Sequence, residues 1–129
     1  MPTVSPSHRD LLENRATVAF ATVGADGTPQ VTAIWAMLDG DVVRTSLTKA
    51  RQKYRNLAAH PQVTLFVIDP ANPYRTLEIR AIAEVTEDPD LVFLRRLLAH
   101  YGTDLESFPG PTQDRVVITL NPTRVVENG

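Results

Sequence analysis

The stretch that decides the fold reads ATVAFATV at residues 16–23, GADGTP at 24–29 and QVTAIWAML at 30–38. Its two outer runs are built from Val, Thr, Ile, Ala and aromatic residues, which suit a pleated, half-buried surface. The run between them is turn chemistry: glycines tolerate positive φ, Asp bonds its own backbone, and Pro presets φ. The reading is therefore strand, turn, strand. Asp39-Gly40 follows as a two-residue hairpin signal leading into a third strand over residues 41–46. Farther on, TLEIRAIAEVT at 76–86 alternates, with Leu77, Ile79, Ala81, Ala83 and Val85 on one face and Glu78, Arg80, Ile82 and Glu84 on the other. Residues 63–68 are almost wholly apolar and read as a strand buried on both faces. Residues 115–120 and 124–126 close the sheet.

Three helices punctuate these strands. Ser5-Pro6 is an N-cap and first-turn pair for a short helix through Leu11 and Leu12 that ends near Asn14. A second is expected over 49–60, stopped by Pro61. Asp88-Pro89 caps a third that reaches Tyr101 and stops at Gly102. Residues 103–113 are a loop. Six or so strands joined mostly by hairpins predict a mainly β protein: an antiparallel, closed or half-closed barrel with inserted helices, in one domain over residues 1–129. A doubly wound parallel sheet does not fit, because most strands follow one another without a crossover helix.

Composition bounds the function. At 43% hydrophobic and 22% charged residues, the 129-residue chain reads as an ordinary globule. No apolar run approaches the roughly 20 residues of a membrane span. The first ten residues lack a signal-peptide core, and there is no cysteine, so no membrane association and a cytoplasmic location are expected. Only 6% of residues are aromatic and the net charge is −2, which argues against a nucleic-acid surface. His8, His60 and His100 lie far apart without metal-site spacing, and no metal is expected. No nucleophile elbow, Walker loop or dinucleotide fingerprint is present. With no assignable catalytic residue, any chemistry belongs to a bound cofactor.

Residues 42–68 contain no Asp or Glu, yet hold Arg44, Lys49, Arg51, Lys53 and Arg55. Ser46 and Thr48 are N-cap types ahead of this basic run. Cations in a helix's first turn oppose the macrodipole by about 0.3–1 kcal/mol each, and a bound phosphate reverses that sign. On a helical wheel Leu47, Ala50, Tyr54, Leu57 and Ala58 form one apolar face, flanked by Lys49 and Lys53 on one side and by Arg51 and Arg55 on the other. The preceding strand, with Gln30, Thr32, Ala33 and Trp35, offers backbone groups to the edge of a flat heterocycle.

Several of these segments are familiar together. TVGADGTPQVT (22–32) resembles the opening hairpin of the pyridoxamine 5′-phosphate oxidase-like split-barrel flavoproteins. TKARQKYRNL (48–57) resembles their phosphate-binding segment, and HPQVT (60–64) the start of the following strand. DPANPYRTLEIR (69–80) resembles the branch that uses the deazaflavin coenzyme F420 in place of FMN. The likeness covers residues 11–126, with its motifs in the expected order.

The resemblance implies a split, FMN-binding-protein-like barrel with a cofactor groove at a homodimer interface. It places the phosphate on Lys49, Arg51 and Lys53, with Thr48 or Ser46 as a hydroxyl donor. The ring is placed along Gln30, Val31, Thr32 and Ala33, with Trp35 nearby. Tyr74, Arg75 and Thr76 are expected to reach across from the second subunit. Arg44, Arg51 and Arg55 are expected to border an exit for the anionic tail of F420. Two positions depart from the branch's pattern: Thr76 stands in place of an aromatic residue, and Ala81 in place of glycine. The implied activity is hydride transfer from reduced F420 to a small conjugated electrophile, with the proton from solvent or Tyr74. An FMN-dependent oxidoreductase and a non-catalytic flavin or deazaflavin binder are the alternatives. Pyridoxamine phosphate oxidation itself is not expected, since the basic substrate segment is missing after Val126.

Overall fold

The opening hairpin forms as its sequence dictates, and the rest of the sheet is laid on it. The computed structural model describes residues 2–129. A short helix α1 (Asp10–Glu13) precedes β1 (Thr17–Val23) and β2 (Pro29–Trp35), which pair antiparallel from Thr17 opposite Trp35 to Val23 opposite Pro29. Gly27, at φ 87°, and an Asp26 carboxylate accepting from Thr28 N–H turn the chain between them. The expected single strand over 30–38 is broken at Ala36, and β3 (Met37–Asp39) starts a new direction. It pairs with β4 (Val42–Thr48) across a two-residue turn, Gly40-Asp41, in which Gly40 takes φ 65°.

Helix α2 (Gln52–Ala59), β5 (Gln62–Asp69), β6 (Asn72–Glu87), α3 (Val92–His100) and β7 (Arg115–Asn128) complete the chain. The seven strands form one antiparallel sheet in the order β2-β1-β5-β6-β7-β4-β3. It curls so that β2 approaches β4, and the Thr45 hydroxyl donates to the Trp35 carbonyl across the seam at 2.7 Å. This is a split barrel. No helix among the described residues is long and apolar enough to cross a membrane.

The inner face is dry. Phe20, Leu65, Leu77, Ile79, Ile118 and Leu120 are almost fully buried there, and Leu11, Leu12 and Leu57 join the same core from the helices. The strand buried on both faces is not 63–68. In β5, Val63, Leu65 and Val67 point inward while Phe66 and Ile68 remain exposed on the outer face. It is β7 that is covered twice: Val116, Ile118 and Leu120 face the barrel, and Val117 lies under Phe93 and Leu97 of α3. Helix α3 starts three residues later than Asp88-Pro89 implied, at Val92 with Leu91 in the N-cap position, although the buried Asp88 carboxylate still accepts from the N–H groups of Phe93 (3.2 Å) and Leu94 (3.0 Å); it stops before Gly102, which takes φ 78°.

Candidate functional site

The basic helix begins later than its sequence implied. Ser46 and Thr48 are the end of β4, paired with Val117 and Arg115 of β7, so they do not cap the helix. Backbone pairing with β7 overrides their capping tendency. Arg51 holds the N-cap position, Lys53 lies in the first turn, and Lys49 stays outside on the connecting turn. The helix also turns a different face inward. Asn56 and Leu57 are buried and Tyr54 half-buried, while Ala50 and Ala58 are exposed.

Asn56 fixes α2 to the opening hairpin. Its amide N–H groups donate to the Thr22 hydroxyl and to Gln30 Oε1, both at 3.0 Å, while its oxygen accepts from Gln52 at 2.8 Å. One turn away, Lys53 Nζ donates to the Thr32 hydroxyl at 3.0 Å. Lys53 is thus drawn over β2 at the mouth of a cavity of about 290 Å³. Ala33, Ile34 and Trp35 of β2 line one side, and Thr45, Ser46 and Leu47 of β4 another. Leu94, Leu97 and Leu98 of α3 give an apolar wall, and Phe108 lies on the rim. Trp35 is held flat against Tyr101, ring centroids 4.3 Å apart and planes within 4°. The Tyr101 hydroxyl reaches the Ala16 carbonyl at 2.5 Å and accepts from Ala36 N–H at 3.1 Å.

Three cations line this cavity: Arg51, Lys53 and Arg115, and no carboxylate lines it with them. Among the described residues none of the three has an acidic partner within ion-pair distance. Burial, and then the charge of Arg51, holds the Lys53 ammonium below its ordinary pKa. Arg115 is lowered by burial and by Arg51, with Asp88 opposing. A site that penalises its own cations is stabilised by an anion, since each charge then gains the partner it lacks.

Of the residues expected around a cofactor, Ala33, Trp35, Ser46, Arg51 and Lys53 meet at the cavity. Thr32 and Gln30 sit behind it as partners of Lys53 and Asn56. Val31 shares the strand face of Ala33 and Trp35 but does not line the cavity and is 67% exposed, and Thr48 is buried in β4. Lys49 is turned away and paired with Glu87 at 2.5 Å, which raises its pKa. Tyr74, Arg75 and Thr76 lie on the β5–β6 hairpin and do not line the cavity of their own chain. Arg75 is occupied by Asp10, Asp69 and the Ser7 carbonyl, and Thr76 accepts from the Asn128 amide at 3.3 Å.

Arg44 does not line this cavity: it pairs with Asp39 and donates to Thr119 at 3.0 Å, so the acid-free stretch of sequence meets an acid from outside it. Arg55 is exposed and donates to Gln52 and to the Ala50 carbonyl. Ala81 lies in the barrel core, 2% exposed, and not beside the cavity. Sequence reasoning missed Arg115, Phe108 and the α3 leucines. The pairing that puts Arg115 opposite Thr48 joins residues far apart in the chain, and no local pattern announces it.

Comparison with known proteins agrees with this architecture. The sequence pattern of the pyridoxamine 5′-phosphate oxidase family matches over residues 4–128. A solved structure named as an F420 reductase is 44% identical, covers 95% of this chain and 98% of its own, and superposes with a TM-score of 0.87. A conserved hypothetical protein of Mycobacterium tuberculosis, Rv2991, is 22% identical over 98% of this chain and 85% of its own, with a TM-score of 0.77. HutZ, a heme storage protein of Vibrio cholerae, is 23% identical over 99% and 96%, with a TM-score of 0.72. The last two share the fold. No curated protein matches the sequence significantly.

Proposed function

The chain belongs to the pyridoxamine 5′-phosphate oxidase family, and on that premise we propose that it is an oxidoreductase that binds coenzyme F420 in preference to FMN and reduces a small conjugated electrophile. The observation that carries the reading is the set of cations Arg51, Lys53 and Arg115, without an acidic partner among the described residues, lining a cavity with a leucine wall. The cations fit the phosphate of either coenzyme, and the apolar wall fits a flat ring. The 44% identity to a protein named as an F420 reductase supports the deazaflavin over FMN. Bound and reduced, F420 supplies a hydride to the electrophilic carbon. The protein's part is to hold and orient: Lys53 and Arg51 fix the anionic end, and Trp35, braced by Tyr101, bounds the ring end. The α3 leucines exclude water, and such positioning can lower a barrier without a catalytic side chain. The proton that completes the reduction comes from solvent or from Tyr74.

Tyr74 is 85% exposed and lies outside its own chain's cavity, so it reaches a ring only from a second copy. The outer sheet face supports that assembly. Val31, Phe66, Ile68 and Ile82 are exposed on it, and strand pairing brings β2, β1, β5 and β6 side by side. Light scattering is expected to give twice the 14.3 kDa protomer mass; a monomer with bound cofactor contradicts the homodimer. The activity is tested by mixing the protein with reduced F420, without oxygen, across a panel of conjugated carbonyl compounds. Protein-dependent reoxidation with at least one acceptor is expected. Tight binding with no turnover on any acceptor instead identifies a non-catalytic carrier.

A further inference from the structure

We infer that Arg115, set in place by the Phe108–Pro111 turn, is the third leg of the anion clamp, in the role the sequence motif gives to Lys49. The inference rests on the proposed cofactor reading for the identity of the anion, but not for its existence. Lys49 and Arg115 start from neighbouring positions, since Thr48 pairs with Arg115 across β4 and β7. Their surroundings then separate them. Lys49 leaves the cavity and meets Glu87. Arg115 turns into the cavity, where it has no acidic partner among the described residues.

What turns it there is the loop between α3 and β7. Arg115 Nε donates to the Pro111 carbonyl at 2.9 Å, and its guanidinium lies 5.1 Å from the centroid of the Phe108 ring. Gly110 lets that ring close over the turn, because a Cβ there would collide with it. With Nε and one face occupied, the terminal nitrogens are left to face Ser46, whose hydroxyl is 3.4 Å away, and the space beside Arg51 and Lys53. With Nε on Pro111 and Nη1 beside Ser46, terminal N–H groups remain to donate to an anion, and the guanidinium fork suits two oxygens of one phosphate. Burial also disfavours the charge, which favours a compensating anion.

The experiment titrates wild type, Arg115→Gln, Arg115→Lys and Phe108→Ala with three probes: F420, the phosphate-free deazaflavin nucleoside, and inorganic pyrophosphate. Circular dichroism checks that each variant is folded. Arg115→Gln is expected to weaken F420 and pyrophosphate by roughly 10-fold or more, the range for a lost charge-assisted bond, and to leave the nucleoside unchanged. Arg115→Lys restores part of the loss, and Phe108→Ala weakens the two anions less than Arg115→Gln does. A purely structural Arg115 would change the nucleoside and F420 in equal proportion, which overturns the proposal. Unchanged F420 and pyrophosphate binding in Arg115→Gln, or no binding of either by wild type, also overturns it. Arg115-dependent pyrophosphate binding without F420 binding keeps the clamp and removes the cofactor reading.

Discussion

Two cationic corners of this barrel use the same chemistry to opposite ends. At the β5–β6 hairpin, Arg75 is wrapped by Asp10, Asp69 and the Ser7 carbonyl, and the two carboxylates, Asp10 first, raise its pKa. At the corner of α2 and β7, Arg51, Lys53 and Arg115 are gathered without a carboxylate, and Lys53 and Arg115 are both lowered. The first corner is complete as folded and ties the N-terminal segment to the sheet. The second has no carboxylate among its cavity-lining residues, and on the proposed reading a ligand completes it. A cationic stretch of sequence does not distinguish the two; the partners that the fold brings to each cation do.

The comparison is broken most severely by emptying the second corner. Arg51→Ala with Lys53→Ala is expected to weaken cofactor binding by about 3 kcal/mol, two charge-assisted bonds, while circular dichroism stays native. Calorimetric titration checks it, and an unchanged affinity in the folded double variant removes the anion site. Next in size is the pin that places α2. Asn56→Ala removes three hydrogen bonds from a side chain 2% exposed and leaves Thr22 short of a partner, so unfolding in urea is expected to show a loss of about 2 kcal/mol.

A pH titration sharpens the contrast. The free-state pKa of Lys53 is depressed, so the ammonium that the anion needs is lost at lower pH than from an ordinary lysine. Affinity is expected to be full below that free-state pKa and to fall as pH rises through it; Lys53→Arg should keep it flat over the same range. Stability of the unliganded protein should move the other way. Between the depressed folded pKa and the unfolded value the unfolded chain binds more protons, so stability rises with pH in that window. An alkaline decline identical in wild type and Lys53→Arg would contradict both. The smallest effect is reserved for the saturated cation outside the cavity: Lys49→Ala should leave cofactor affinity within about twofold, as for an exposed ion pair.

Much of the frame was legible because it is local. The opening hairpin announces itself through alternation and turn residues, and the end of α3 through Gly102; its start falls three residues past the Asp88-Pro89 signal. Errors came where a distant strand decides. Ser46 and Thr48 look like caps until β7 pairs with them, and residues 63–68 look doubly buried although α3 covers β7 instead. The site divides in the same way. Ala33, Trp35, Arg51 and Lys53 belong to motifs read along the chain, whereas Arg115 reaches Ser46 from 69 residues away.

The central claim is that the cation-lined cavity takes the deazaflavin coenzyme, and paired fluorescence titrations with F420 and FMN at low and high ionic strength test it most directly. Both coenzymes offer a phosphate to Arg51, Lys53 and Arg115, and F420 adds an anionic tail that gains from the surrounding positive field. The account predicts tighter binding of F420 than of FMN at low salt, with the preference narrowing as salt screens the tail. Tighter binding of FMN at both ionic strengths would contradict it and assign the cavity to the flavin.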